Sequence, residues 1–163
     1  MKVDVNIFDY ASVSRATRTL DEYFADLREK ADELCERLAE IAQDEAQTIY
    51  YGAIYDGVND VEVYVDQIPN GYQVQATGDA VLFIEYGSGA THGYGHPEPE
   101  GYGPGTFRGK GHWNDPKGWY LPANALGESG IHTYGNPPAA AMYRAKQEVK
   151  NMAQEIADEV FNS

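Results

Sequence analysis

The side chains of this 163-residue chain that invite a chemical reading are concentrated between residues 87 and 135, which hold all four histidines, both tryptophans and 13 of the 17 glycines. His92, His96, His112 and Asp115 are metal-ligand types within one segment. Histidines at i and i+4 share a face only on a helix, however, and Gly93, Gly95 and Pro97 oppose one. Neither a His-Glu-x-x-His phrase nor a thiolate pair assists them. Glu85, Glu98 and Glu100 offer carboxylates for acid/base work, and Glu85 closes an apolar run, a setting that tunes such groups. The plainer reading of Glu85 is a hydrogen-bond acceptor for the loop amides that follow it. Gly87-Ser88-Gly89 lacks the Gly-x-Ser-x-Gly form of a nucleophile elbow. Gly101-Tyr102-Gly103-Pro104-Gly105 lacks the Gly-Lys-Ser/Thr ending of a phosphate loop. Arg108 and Lys110 are too few for a nucleic-acid patch. Contact by aromatics remains, since Tyr, Trp and Phe on a glycine-permissive backbone are the chemistry enriched at protein interfaces. Trp113 and Tyr102 are the contact candidates, whereas Trp119 and Tyr120 fit either a sheet core or a contact surface.

The elements that must position these residues are legible in part. Residues 1–18 read as a strand or arm, with Val3, Val5 and Ile7 alternating weakly. Thr19-Leu20-Asp21-Glu22 has the form of a capping box, which predicts a helix over 19–52 with Gly52 as its stop. No Gly or Pro interrupts residues 20–51, and a helix of that length spans about 48 Å at ~1.5 Å per residue. Such a helix projects from a domain of this size, meets a neighbour, or breaks. Val61, Val63 and Val65 alternate with polar residues, Pro69-Asn70-Gly71 marks a turn, and Tyr72, Val74 and Ala76 resume the alternation. Ala80-Val81-Leu82-Phe83-Ile84, apolar throughout, predicts a central strand and hence a meander of at least three strands over 60–86. Gly118-Trp119-Tyr120-Leu121 and Ile131-His132-Thr133-Tyr134 predict short strands within the long loop 87–135. Asn136 as N-cap and Pro137 in the first helical position predict a C-terminal helix over 136–163, with Met142, Ala145, Val149, Ile156 and Val160 on its apolar stripe. The expected fold is a single α+β domain: a small antiparallel sheet with a long N-terminal helix and a C-terminal helix packed on it.

A formal charge of −14 opposes binding to a phosphate backbone. The acids are segregated: residues 20–51 carry ten acids and three bases, residues 53–86 six acids and no base, and the Gly-rich segment is nearly neutral. Cys35, the single cysteine, stands at an apolar helical position and reads as a small buried hydrophobe rather than a disulfide or zinc partner. The N-terminus lacks a signal-peptide pattern and no apolar run approaches spanning length, so the expectation is a soluble protein made inside the cell.

The order of motifs resembles the tail-component or tail-completion proteins of long-tailed phages and prophages. The resemblance runs from about Leu20 onward and rests on the long helix, the short sheet and the phrase Glu85-Tyr86-Gly87-Ser88-Gly89. It continues through the aromatic Gly118-Trp119-Tyr120-Leu121 and the helix approach Pro137-Pro138-Ala139-Ala140-Ala141-Met142. Two features depart from it: Ala140 and Ala141 replace the usual Pro-Phe, and the loop from Gly89 to Gly118 is long and rich in Gly, Tyr and His. The resemblance implies a virion structural protein at the head-tail junction or upper tail, without enzymatic turnover, cofactor or metal. It implies a homo-oligomer, as a hexameric ring, against head-completion, connector, tail-terminator or tail-tube proteins. DNA would pass through the lumen without specific binding, with no membrane involved and with assembly in the host cytoplasm. Glu85, Tyr86, Gly87, Gly89, Trp119, Tyr120, Pro137 and Met142 lie in the phrases that carry it, and with Tyr102 and Trp113 from the aromatic reading they are the expected structural and interface residues. Gly87→Val is expected to abolish assembly before solubility. The alternatives are a tail terminator that caps tube growth, a metal-dependent hydrolase using the His-rich loop, and a free-standing intracellular binding module.

Overall fold

The structure, a computed structural model, describes residues 2–89, 95–98, 115–120 and 130–162. It is an α+β fold with the order α1 (Tyr10–Gly52), β1 (Glu62–Ile68), β2 (Gly71–Thr77), α2 (Val81–Tyr86), β3 (Trp119–Tyr120), β4 (His132–Thr133) and α3 (Ala141–Asn162). Tyr102, Trp113, His92 and His112 lie outside the described residues.

α1 is one unbroken helix of 43 residues, about 64 Å long at ~1.5 Å per residue. It starts at Tyr10 rather than Thr19, so the second half of the expected arm is helical. The cap is Asp9, whose carboxylate accepts from the Ala11 N–H at 3.0 Å. Thr19 does not cap, because its hydroxyl donates back to the Arg15 carbonyl at 3.0 Å within the helix. The helix ends at Gly52, where sequence places the stop.

β1 and β2 form the expected hairpin, with Val63 opposite Ala76, Val65 opposite Val74 and Ile68 opposite Gly71. The outer edge of β1 is closed by α1. Gln47 Oε1 accepts from the Val63 N–H at 2.7 Å, Gln47 Nε2 donates to the Val61 carbonyl, and Gln43 Nε2 donates to the Val63 carbonyl. Two glutamines thus satisfy backbone groups that an edge strand otherwise leaves open.

The expected third strand is a helix. Ala80–Ile84 enters α2, and the turn leading into it is held from a distance: the Asp60 carboxylate accepts from Asp79 N–H at 2.8 Å and Ala80 N–H at 2.9 Å, the two amides just before the helix. Those two bonds hold the Asp60 carboxyl below the ordinary carboxylate range. The described strands therefore make two separate two-stranded sheets, β1–β2 and the small β3–β4 pair that joins Trp119 to Thr133 and Tyr120 to His132.

α3 also differs from expectation at both its start and its packing. It begins at Ala141, not at Pro137, and it lies along α1 rather than on the sheet. Ala42 and Ala46 of α1 and Ala141 and Ala145 of α3 are all buried, and small side chains let two helices approach closely. The helices run antiparallel: Tyr50 sits near the start of α3 and Arg37 pairs with Glu159 near its end. Tyr50, Val61, Val63, Ala80 and Ile84 complete the core. Cys35 is exposed, because it lies on α1 beyond the main cover of α3 and beside the hairpin tip.

Candidate functional site

Ala140 creates the problem that organises the centre of the molecule. Its carbonyl accepts from Arg144 N–H at 2.9 Å, which makes it the N-cap of α3, yet an alanine side chain has nothing with which to cap. Glu85, at the end of α2, supplies the missing acceptor. Its Oε2 accepts from Met142 N–H at 3.0 Å and its Oε1 from Tyr143 N–H at 3.2 Å, the second and third residues of α3. A carboxylate at this position also opposes the positive end of the helix dipole.

The same carboxylate has two side-chain partners. The Tyr50 hydroxyl donates to Oε2 at 3.0 Å, and His96 Nε2 lies 3.2 Å from Oε1. His96 Nδ1 accepts from Glu98 N–H at 3.0 Å, so Nε2 carries the hydrogen and donates to Glu85. Burial, and next the adjacent Glu85 carboxylate, push the Tyr50 phenol well above its ordinary range. The His96 ring rests against Tyr86 at 4.4 Å between centroids and against Tyr143 at 5.9 Å. Lys146 closes the outside by pairing with Glu98 at 3.0 Å.

Below this cluster, α2 and the approach to α3 meet through their backbones. Ala139 N–H donates to Ile84 O at 2.8 Å and Ala140 N–H to Glu85 O at 3.0 Å, while Asn136 Nδ2 donates to Phe83 O at 2.9 Å. Carbonyls that the short helix leaves open are thereby satisfied. Ser88 N–H donates to Asn136 O at 2.9 Å, and the Ser88 hydroxyl bonds the Asn136 side chain. The two segments touch so closely that a Cβ on Gly89 would lie 2.2 Å from Tyr134 O, and one on Gly135 would lie 2.0 Å from Ser88 O. Both glycines have positive φ.

Glu85 is therefore an acceptor for helix amides, but for those of α3 rather than of the loop that follows it. Gly87 has φ +77°, and a Cβ there would meet Pro138 N at 2.7 Å and Asn136 O at 2.8 Å. A side chain there is therefore expected to disturb folding itself, which argues against a separation of assembly from folding in Gly87→Val. Asn136 and Pro137 do not start the helix; Asn136 spends its side chain on Ser88 and Phe83, and Pro137 is exposed. Met142 is half-buried and offers its N–H to Glu85. Trp119 is half-buried and Tyr120 is 71 % exposed, with its ring on His132 at 4.8 Å.

Tyr50, Ser88, His96, Asn136 and Gly135 are members of this junction that sequence reasoning missed or assigned otherwise. The signal for them was Glu85 itself, since a carboxylate in an apolar run demands buried donors. Both nitrogens of His96 are committed, so neither points at a metal, and the described residues contain no cluster of three metal-ligand side chains. Chemically, the arrangement can clamp: four donors converge on one carboxylate and fix three chain segments. Comparison with known protein families, with curated proteins and with solved structures gave no match.

Proposed function

We propose that this chain is a phage virion structural protein that helps complete the tail or join it to the head through ordered contacts between subunits. The observation that carries the reading is the uncovered first half of α1, where Tyr10 is 88 % exposed and Phe24 52 % exposed. Large apolar side chains left on one projecting helix are a contact surface awaiting cover. The sequence supports the particular setting. The phrases Glu85-Tyr86-Gly87-Ser88-Gly89 and Pro137-Pro138-Ala139-Ala140-Ala141-Met142, which carry the resemblance to tail-completion proteins, meet at the junction around Glu85.

In this reading the junction is a rigid node, and α1 and the aromatic loop reach neighbouring subunits in a ring. The acidic charge of the helix and hairpin suits a passage through which DNA slides without adhering, because like charges repel the backbone. Imaging of particles assembled without this chain tests the proposal. The expected result is filled heads and finished tails that fail to join. Intact, infectious particles would refute it, and a basic or neutral lumen in the assembled junction would refute the placement of the acidic surface.

A further inference from the structure

From Val13 to Leu38 apolar residues recur at alternating steps of four and three, with Thr17 the one polar member. That spacing is the seam of a two-stranded coiled coil sustained over about four heptads. α3 covers the far part of this face, where Ala42 and Ala46 are buried against it, and its cover gives out near the Arg37–Glu159 pair. The seam continues uncovered beyond that point: Leu20 is 42 %, Phe24 52 % and Leu27 37 % exposed. We infer that this stretch of α1 docks against the same stretch of a second copy of the chain, antiparallel, about a two-fold axis near residues 25 and 26.

Three observations select this occupant. The uncovered seam is continuous with an interface in which α1 already accepts an antiparallel helix, so a second antiparallel helix extends a packing the chain uses internally. Charge then selects the direction. Asp21 and Arg28 are exposed, lie seven residues apart on one flank of the seam, and have no ion-pair partner among the described residues. With Phe24 seated against the partner's Leu27, Asp21 meets the partner's Arg28, and the symmetric pair forms on the other side. A parallel pair would set Asp21 beside the partner's Ala16 and Arg28 beside the partner's Tyr23, matching neither charge. Sliding the antiparallel pair by one heptad would place Asp21 on the partner's Asp21. Shape agrees as well: the chosen register lays residues 14–21 of the second copy over the open groove between Arg28, Cys35 and the hairpin tip at Ile68.

The pairing does not rest on the virion reading. A two-fold contact is self-saturating, so it describes the free subunit, and the arms would have to exchange partners before a ring of single polarity closed.

Sedimentation equilibrium of the full chain, with disulfide trapping, tests it. The chain is expected to dimerise, and Asp21→Arg or Arg28→Asp alone to raise the dimer dissociation constant on the order of tenfold. The double exchange Asp21→Arg/Arg28→Asp is expected to restore it, a rescue that a merely structural role of either residue would not produce. In the same register Ser14 faces the partner's Cys35, so oxidised Ser14→Cys is expected to run as a covalent dimer that Cys35→Ser abolishes. A chain that remains monomeric at every concentration overturns the proposal. A dimer indifferent to the single exchanges, or one unrescued by the double exchange, overturns the antiparallel register. None of these readouts needs a particle, so failure of the pairing and failure of the virion reading are separate results.

Discussion

The junction around Glu85 and the first half of α1 are opposite solutions to the same problem of exposed chemistry. At the junction the buried side-chain donors and acceptors among the described residues are met from within the chain: Glu85 takes Tyr50, His96, Met142 and Tyr143, and Asn136 takes Ser88 and Phe83. Along residues 10–27 the helix instead leaves Tyr10, Leu20, Phe24 and Leu27 to solvent. The difference teaches which part of the sequence serves the fold and which part has surface left over for a partner.

Four substitutions would break or sharpen that contrast. The largest effect is expected at Glu85→Ala, which strands two helix amides, a buried phenol and a buried imidazole; loss of a buried charged partner typically costs about 3–5 kcal/mol. Chemical denaturation would measure it, and a loss below about 1 kcal/mol would mean that the cluster does not hold α3. Next comes Gly135→Ala, where an unfavourable backbone angle alone costs about 1–3 kcal/mol and the approach to Ser88 O adds to it. Its thermal midpoint should fall by several degrees.

Tyr50→Phe removes one donor from Glu85 and should cost about 1–2 kcal/mol near neutral pH. It should also change the alkaline limb. Because folding raises the Tyr50 phenol, its stabilisation is whole below the unfolded value near ~10 and fades as the pH climbs above it. Stability profiles of the parent and of Tyr50→Phe should therefore converge above that pH. The smallest effect on folding is expected at Phe24→Ser on the uncovered arm, within about 0.5 kcal/mol of the parent by denaturation at a protein concentration low enough to keep the chain monomeric. A large destabilisation there would mean that the arm is already covered by its own chain.

Much of the fold was legible because its signals are local. The hairpin followed from valine alternation and a Pro69-Asn70-Gly71 turn, α1 from its unbroken periodicity and Gly52, and β3 and β4 as strands, though not their pairing with each other, from two short aromatic or β-branched runs. Two of the errors share one physical cause, hydrogen bonds to carboxylates distant in sequence. A five-residue apolar run does not distinguish strand from helix by period, and the carboxylate that holds the turn into α2 is Asp60, well upstream. Asn136-Pro137 carries a local N-terminal signal, but Asn136 is drawn to Ser88 and Phe83, while the true cap is Glu85. Thr19 carries another, and loses because Asp9 starts the helix earlier. Glu85 was singled out as a key residue, yet its partners Tyr50 and His96 come from elements that no local pattern connects to it.

Amide hydrogen exchange along α1, followed as protein concentration rises, tests the central contrast most directly. Residues 37–50, covered by α3, should be protected to the same degree at every concentration, whereas residues 13–27 should gain protection as a second copy closes over them. Protection that is uniform along the helix and independent of concentration would contradict the account.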